Sequence, residues 1–317
     1  MLKGMRYVYE VYQEMSFSKA ARNLYISQPS LSAAIKKVEH EIGCTIFDRS
    51  TNPIQITECG KAYIESIKKI MEVEESFDNF KNDLENMKTG SISIGGTTFF
   101  TSFVLPPLIQ CFSETFPQVT INLVETNTGM LEKELFEGSL DLVIDNYCFD
   151  ETLYESHFFA KEQLVLAVPR KYIPNDMHHP TWLSPQQIRE GKHLDENTPS
   201  ISLHIFQGKP FLFLKEGNDT RIRADKICAH NHFTPNIVLM LDQQLTAYNL
   251  TCQGMGISFI SDTLVKSEKP DDSVVYYKLN NKDSNRNVSF YYKRTRYMKR
   301  AVHEFLKIAD SFSLSRM

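Results

Sequence analysis

Near the N-terminus the apolar positions recur with the period of short helices. Leu31, Ile35, Val38 and Ile42 stand at helical spacing and define one buried stripe. Ser27 precedes the stripe and Pro29 falls in its first turn, a hydroxyl acceptor followed by a pre-set φ, so a helix is expected to begin near Gln28. Upstream, Ala20 and Ala21 are small enough for close helix crossing, while Leu24 and Ile26 supply anchors to a shared core. After Gly43, residues 45–57 alternate around Asn52-Pro53 in the manner of a small hairpin. Two short helices, a tight turn between them and a hairpin behind them predict a winged helix-turn-helix.

The outward arc of the second helix carries Pro29, Ser30, Ala33, Lys36, Lys37 and His40, with Ser32 at its edge. These side chains are short or cationic, and a major groove admits such a helix. Gln28 at the tip has the amide that can bond bidentately to adenine, and Arg49 is expected to meet the phosphate backbone or the minor groove. The expected DNA-contacting set is therefore Ser27, Gln28, Pro29, Ser30, Ser32, Ala33, Lys36, Lys37 and Arg49. Glu39 is expected to be structural and paired with a cation, because a carboxylate facing phosphates would repel them.

The next pattern is longer. Tyr63, Ile67, Ile70, Val73, Phe77, Phe80, Leu84 and Met87 repeat in steps of three and four, with Lys, Glu or Asp between them. A helix of about thirty residues would be a rod of roughly 45 Å, too long to spend one whole face on a small head. It is expected to make a dimer.

Beyond residue 90 strands and helices alternate. Strand-like runs fall at 91–95, 119–124, 140–144, 164–168, 211–214, 237–241, 257–260, 274–279 and 288–293, and helix-like runs at 104–115, 130–137, 220–230, 245–253 and 298–312. This alternation predicts an α/β fold of doubly wound parallel sheets. The lengths suggest two lobes, with one crossing near 161–163 and a return near 266–271. The expected organisation is a DNA-binding head at 1–58, a linker helix at 59–89 and an effector-binding domain at 90–317. Within the last, lobe I comprises 91–162 plus 269–317, and lobe II 163–268.

Ser16 to Ala21, Ser27 to Ser32, Ile35, Val38, Glu39, Ile42, Gly43, Ile46, Phe47, Arg49, Ile56, Thr57 and Gly60 together resemble the DNA-binding segment of LysR-type transcriptional regulators. Met15 departs from it, standing where that family usually has glycine. Farther on, Pro117 in Phe-Pro-x-Val, the Gly138-Ser-Leu-Asp-Leu-Val run and Gly254-Met-Gly-Ile resemble the family's periplasmic-binding-protein-like effector domain. The resemblance spans nearly the whole chain. It implies a homodimer or homotetramer that reads double-stranded promoter DNA, responds to a small molecule and has RNA polymerase as a further candidate partner. Residues 174–200 exceed the usual linker, carry a helix signal at 184–189 and are expected to form a surface insertion.

Two-lobed α/β folds bind ligands beyond the strand C-termini, where helix amides point outward. The candidates there are Thr97, Thr98, Thr101, Ser102, Thr126, Asn127, Thr128 and Asn146 on one lobe, and Asn218, Thr220, Arg221, Gln243 and Thr246 on the other. Hydroxyls, amides and an arginine suit a small polar or anionic effector. Asn218, Asp219 and Thr220 could equally serve only to cap the helix they open.

Charge adds little to the DNA reading. In residues 1–60, seven cations (Lys3, Arg6, Lys19, Arg22, Lys36, Lys37, Arg49) face six anions (Glu10, Glu14, Glu39, Glu41, Asp48, Glu58), and the 317-residue chain has a formal net charge of −4. Affinity must then come from local placement and from joining two or more heads. Cys44, Cys59, Cys111, Cys148, Cys228 and Cys252 are dispersed without a Cys-x-x-Cys, so neither a disulfide framework nor a zinc ribbon is expected. His178-His179 and His230-x-His232 lack a third ligand nearby, and no metal or cofactor is expected. Gly-x-Ser-x-Gly, P-loop, His-Glu-x-x-His and dinucleotide fingerprints are absent, which argues against an enzyme. Charge within six residues of the N-terminus and no eighteen-residue apolar run predict a cytoplasmic protein without membrane contact. Two alternatives stay open: a DNA-binding regulator switched by cysteine oxidation, with Cys228 and Cys252 as the pair, and a stand-alone solute-binding protein.

Overall fold

A computed structural model describes residues 2–50, 53–84, 90–173, 182–280 and 282–313. The chain divides into two compact units, Met1–Lys81 and Asn82–Met317.

In the first unit, α1 (Leu2–Glu14), α2 (Phe17–Asn23) and α3 (Gln28–Ile42) pack around a core that includes Val8, Val11, Ala20, Leu31 and Ile35, all fully buried. Each start has a chemical cause. The Ser16 hydroxyl accepts from the Lys19 amide to open α2, and the Ser27 hydroxyl accepts from the Ser30 amide to open α3, with Pro29 in the first turn. α3 ends at Gly43, whose φ of +75° lets its amide turn back to the Glu39 carbonyl. Ile42, expected in the buried stripe, is 37% exposed because it lies in the last turn, past the core. Met15, at the turn into α2, has a φ of +45°, the left-handed region that glycine adopts without strain.

Strands β1 (Phe47–Asp48) and β2 (Gln55–Ile56) pair antiparallel as the wing, Phe47 opposite Ile56. The expected turn at Asn52 lies outside the described residues. Helix α4 (Glu58–Leu84) follows, and the Thr57 hydroxyl fixes its start by accepting from the Gly60 amide while donating to the Thr45 carbonyl. A Cβ on Gly60 would meet the Ile46 carbonyl oxygen at 2.3 Å, so only glycine permits this approach of helix to wing. Cys44 and Cys59 are joined by a disulfide across the same junction, a pairing not expected from dispersed cysteines that gave no sign of a disulfide framework. Along α4, Ile64 and Ile67 are buried in the head core with Tyr63 and Ile70 packed against it, whereas Val73, Phe77 and Phe80 are exposed. The first part of the seam is thus spent on the chain's own head. Met87 lies outside the described residues.

The second unit is built on one mixed sheet. Its strands are β3 (Gly90–Gly96), β4 (Val119–Glu125), β5 (Leu142–Asp145), β6 (Tyr154–Pro169), β7 (Pro210–Leu214), β8 (Asn236–Leu241), β9 (Ile257–Ser261), β10 (Val274–Lys278) and β11 (Asn285–Lys293). The order is β4-β3-β5-β11-β6-β9-β7-β8, with β10 paired to β6. Helices α5 (Leu105–Thr115), α6 (Thr128–Glu137), α8 (Asp219–His230), α9 (Gln244–Cys252), α10 (Asp262–Ser267) and α11 (Arg300–Ser313) connect or cover them, α5 following a π-helical turn at Phe100–Val104. β3 pairs parallel with β4 and β5, and β7 parallel with β8 and β9, as the alternating pattern predicts. The expectation of parallel sheets fails between these groups, where β11 runs antiparallel to β5 and β6, and β6 antiparallel to β9 and β10. β6 and β11 are the two crossings between lobes, and strands crossing in opposite senses must pair antiparallel.

β6 changes partners from β11 to β9 between Gln163 and Leu164, close to the expected crossing. The return does not fall at 266–271. β10 still pairs with the far half of β6, Val274 opposite Pro169, and only β11 comes back, from Asn285 onward. Residues 269–317 therefore do not move as a block into lobe I.

The expected insertion is part of the packing rather than a surface addition. A capping box at Ser184 and Gln187 starts a short helix, α7 (Pro185–Arg189). Leu183, Ile188 and His193 are buried, and Arg189 donates to the Val265 and Glu268 carbonyls. Residues 174–181 lie outside the described set. Among the described residues no helix is long and apolar enough to cross a membrane.

Candidate functional site

The head presents one exposed helix face. Leu31, Ile35 and Val38 are spent on the core, and this orientation leaves Gln28, Pro29, Ser30, Ala33, Lys36 and Lys37 exposed on the opposite arc. Ser27 is occupied as the cap, its hydroxyl 2.7 Å from that of Ser30, so both serines are held at the tip of α3. Ser32 is half-buried and accepts from Nη1 of Arg49 at 3.0 Å.

Arg49 is more engaged than a solvent-facing phosphate contact would be. Its Nη2 donates to Oε2 of Glu39 at 3.0 Å and its guanidinium lies 4.7 Å from the centre of the Phe17 ring. Glu39 in turn accepts through Oε1 from the Ile46 and Phe47 amides at 2.8 and 3.3 Å. This carboxylate pins the start of the wing to α3, which matches the structural role expected for it. Removing it leaves two buried amides and a half-buried cation without their acceptor. Glu39→Ala is accordingly expected to cost the head about 3 kcal/mol, read as a lower denaturant midpoint; a midpoint within error of the parent's would remove Glu39 from this role.

The second unit contains two adjoining voids where the strand ends of both lobes meet. The outer void holds about 560 Å³, open to solvent, and is lined by Thr98, Glu125, Thr126, Asn127, Thr128 and Gly129 from one lobe and Lys215, Glu216, Gly217, Asn218, Asp242 and Gln243 from the other. The inner void is a narrow recess of about 30 Å³, lined by Thr97, Phe99, Phe100, Asp145, Asn146, Asp219, Thr220, Gln244 and Arg286, and shares Thr128, Asn218 and Gln243 with the outer. Asn127, Asn218 and Gln243 are the N-caps of α6, α8 and α9, so three helix N-termini converge here.

Most of the expected effector residues line these voids, and four do not. Arg221 donates to the Leu214 carbonyl and to Asp225 and stacks on Phe213, because α8 turns that position onto its own strand. Thr101 is buried with its hydroxyl against the Thr97 and Thr98 carbonyls and Glu125, and neither Ser102 nor Thr246, both exposed, is among the lining residues.

The arginine at the cleft is Arg286, unforeseen because it stands on the return strand, far in sequence from every other lining residue. It is 5% exposed; Nε donates to Glu162 at 2.5 Å and Nη1 to Asp219 and the Thr220 hydroxyl at 3.0 and 2.9 Å. Ion pairing with Glu162 and Asp219 outweighs burial and holds the guanidinium above its already high range. Asp145, at the end of β5, is 1% exposed, and its oxygens accept from the Tyr147 amide and the Thr128 hydroxyl. Burial pushes its carboxyl up to about 6. Thr98 and Thr101 donate to the two oxygens of Glu125 at 2.8 and 3.0 Å. Among the described residues no cluster of His, Cys, Asp and Glu could hold a metal ion. Cys228 and Cys252 are unpaired, and burial pushes both thiols up to about 12, far from the thiolate needed for exchange.

Residues 2–61 match the model of the bacterial regulatory helix-turn-helix proteins of the lysR family, and residues 85–312 that of the LysR substrate binding domain. The uncharacterized HTH-type transcriptional regulator YcgK of Bacillus subtilis is 29% identical over 315 residues, covering 97% of this chain and 93% of its own. A probable RuBisCO transcriptional regulator of Trieres chinensis is 23% identical over 84% of this chain and 82% of its own. Among solved structures, a full-length OxyR variant from Pseudomonas aeruginosa superposes with a TM-score of 0.68 at 22% identity, covering 98% of this chain and 94% of that one. Full-length CbnR complexed with its target DNA gives 0.63 at 17% identity, covering 98% and 99%. With helix-turn-helix head and substrate-binding domain matched in the same order over nearly its whole length, the chain belongs to the LysR family of transcriptional regulators.

Proposed function

We propose that the chain reads a promoter through the exposed arc of α3, and that a small molecule held between the lobes of the second unit changes how well the heads engage their site. The observation that carries the first half is the orientation of α3: its apolar stripe is buried, its N-terminus is capped by Ser27, and Gln28 with the short and cationic positions behind it faces outward. A helix so presented fits a major groove, and phosphates are reached by Lys36, Lys37 and the free edge of Arg49. The small molecule acts by binding two arrangements of the heads with different affinity. The protein works where the DNA is, in the cytoplasm, as a homodimer or homotetramer whose α4 helices associate through Val73, Phe77 and Phe80, and it binds its effector without transforming it.

Gln28→Ala tests the reading directly. A lost bidentate contact removes about 1–3 kcal/mol of discrimination, so affinity for the cognate duplex should fall roughly tenfold to a hundredfold while affinity for a scrambled duplex holds. Equal loss on both duplexes would make Gln28 a positioning contact and not a reader.

A further inference from the structure

The charges around the cleft do not balance. Of the two cations lining it, Lys215 is held by Asp242 at 2.8 Å, and Arg286 is enclosed by Glu162 and Asp219, the latter shared with Arg223 at 2.8 Å. Among the described residues three lining carboxylates remain without a cationic partner: Asp145 in the inner void, and Glu125 and Glu216 in the outer one. Asp145 is the informative one. It is 1% exposed, aligned by a hydroxyl and an amide, and borders empty space, yet no lysine, arginine or histidine of the described residues pairs with it. A buried carboxylate is ordinarily paired or hydrogen-bonded to a cation, because leaving it ionised in an apolar surround is costly.

Helix N-termini pull the other way, since each carries about half a positive charge. Two of the three are already answered: Asn127 accepts from the Met130 amide and Asn218 from the Thr220 amide. What is left of the helix charge is small beside three full carboxylates, and the arginine that would recognise an anion is consumed by Glu162 and Asp219.

We propose that the molecule this cleft takes carries a protonated nitrogen, the ammonium or guanidinium of a basic amino acid or an aliphatic diamine, and that Asp145 receives it while Glu125 and Glu216 make the mouth attractive to it. This rests on the reading of the cleft as the effector site and narrows the polar or anionic ligand expected from the hydroxyls, amides and Arg221 to a polar one of opposite charge. Glu125 is suited to the task because Thr98 and Thr101 aim both of its oxygens.

The test uses three four-carbon compounds that differ in the charge of their ends: putrescine, 1,4-butanediol and succinate, with L-arginine and L-lysine added and ionic strength matched by sodium chloride. Thermal unfolding of the full chain at pH 7.5 should shift upward by several degrees with putrescine, arginine or lysine at millimolar concentration, and not with the diol or succinate, since a ligand of the native state stabilises by mass action. Asp145→Asn keeps the size of the side chain and one acceptor oxygen for the Tyr147 amide, leaves the Thr128 hydroxyl to turn and accept from the new amide nitrogen, and should abolish the response while the chain still unfolds cooperatively. Stabilisation by succinate and not by putrescine would overturn the charge assignment and leave the cleft as the effector site. A putrescine response undiminished in Asp145→Asn would remove Asp145 as its receiver. Absence of a shift with all five compounds would overturn the proposal outright, and DNA reading by α3 would be untouched, because the duplex experiment needs no effector.

Discussion

In the absence of any small molecule, Asp145→Asn should make the chain more stable at pH 7.5 by up to about 3 kcal/mol and leave its stability nearly unchanged at pH 4. The carboxyl of Asp145 is raised to about 6 from an ordinary 3.8, chiefly because burial penalises the charged form, with Asp219 adding repulsion and the Tyr147, Thr128 and Asn146 hydrogen bonds opposing. An acid whose folded value is raised binds its proton more tightly in the native state. The stability this contributes is present in full below about 3.8 and is lost as the pH climbs through about 6. Asparagine cannot ionise, so the loss should disappear. Denaturant midpoints measured from pH 4 to 8 check it: parent and variant should converge at the acid end and separate between about 4 and 6. Parallel curves would mean that Asp145 is not uncompensated in the folded chain, and would weaken the case for a cationic effector as well.

The second large effect concerns assembly. Val73→Lys combined with Phe77→Lys should lower the particle mass in sedimentation and leave the head folded. Val73 is 70% and Phe77 65% exposed on a helix whose preceding turns bury Ile64 and Ile67 in the head core, so these later positions are apolar and largely uncovered by the described residues. Ammonium groups placed in a closed seam cost several kcal/mol each when they find no counter-charge. Specific DNA affinity should drop with the mass, because a second tethered head raises the avidity of the first by about 100-fold or more. An unchanged mass would place the association surface elsewhere. Ile70 is left intact in this design because it packs on the chain's own head, and charging it would confuse unfolding with dissociation.

Local chemistry was legible in the chain wherever it is written in neighbouring residues. The hydroxyl of Ser27, the ring of Pro29 and the 3.6-residue recurrence of Leu31, Ile35 and Val38 define both the start of α3 and its buried side, and the opposite side follows by subtraction. The same holds for the strands and helices of the second unit and for the threonines and asparagines at their junctions, since a strand end and a helix cap are local events. Periodicity could not tell which partner a stripe would meet. On α4 the same repeat faces the head at Tyr63, Ile67 and Ile70 and is exposed at Phe77.

What only the tertiary structure decided is which distant groups come together and with what charge. Strand direction between the lobes depends on β6 and β11 crossing in opposite senses, and the late return follows from β10 pairing with β6, neither of which leaves a local mark. Cys44 and Cys59 meet because Gly60 and Thr57 bring the start of α4 against the wing. Arg221, beside the cleft in sequence, is turned away by its own helix, while Arg286 arrives from the return strand and is neutralised by Glu162 and Asp219. The sequence by itself determined the family, the buried and exposed sides of α3 and the strand ends that floor the cleft, because these depend on short-range spacing and capping. The sign of the cleft was decided by the fold, because a site's net charge is a sum over residues that only long-range pairing places within a few ångströms of one another.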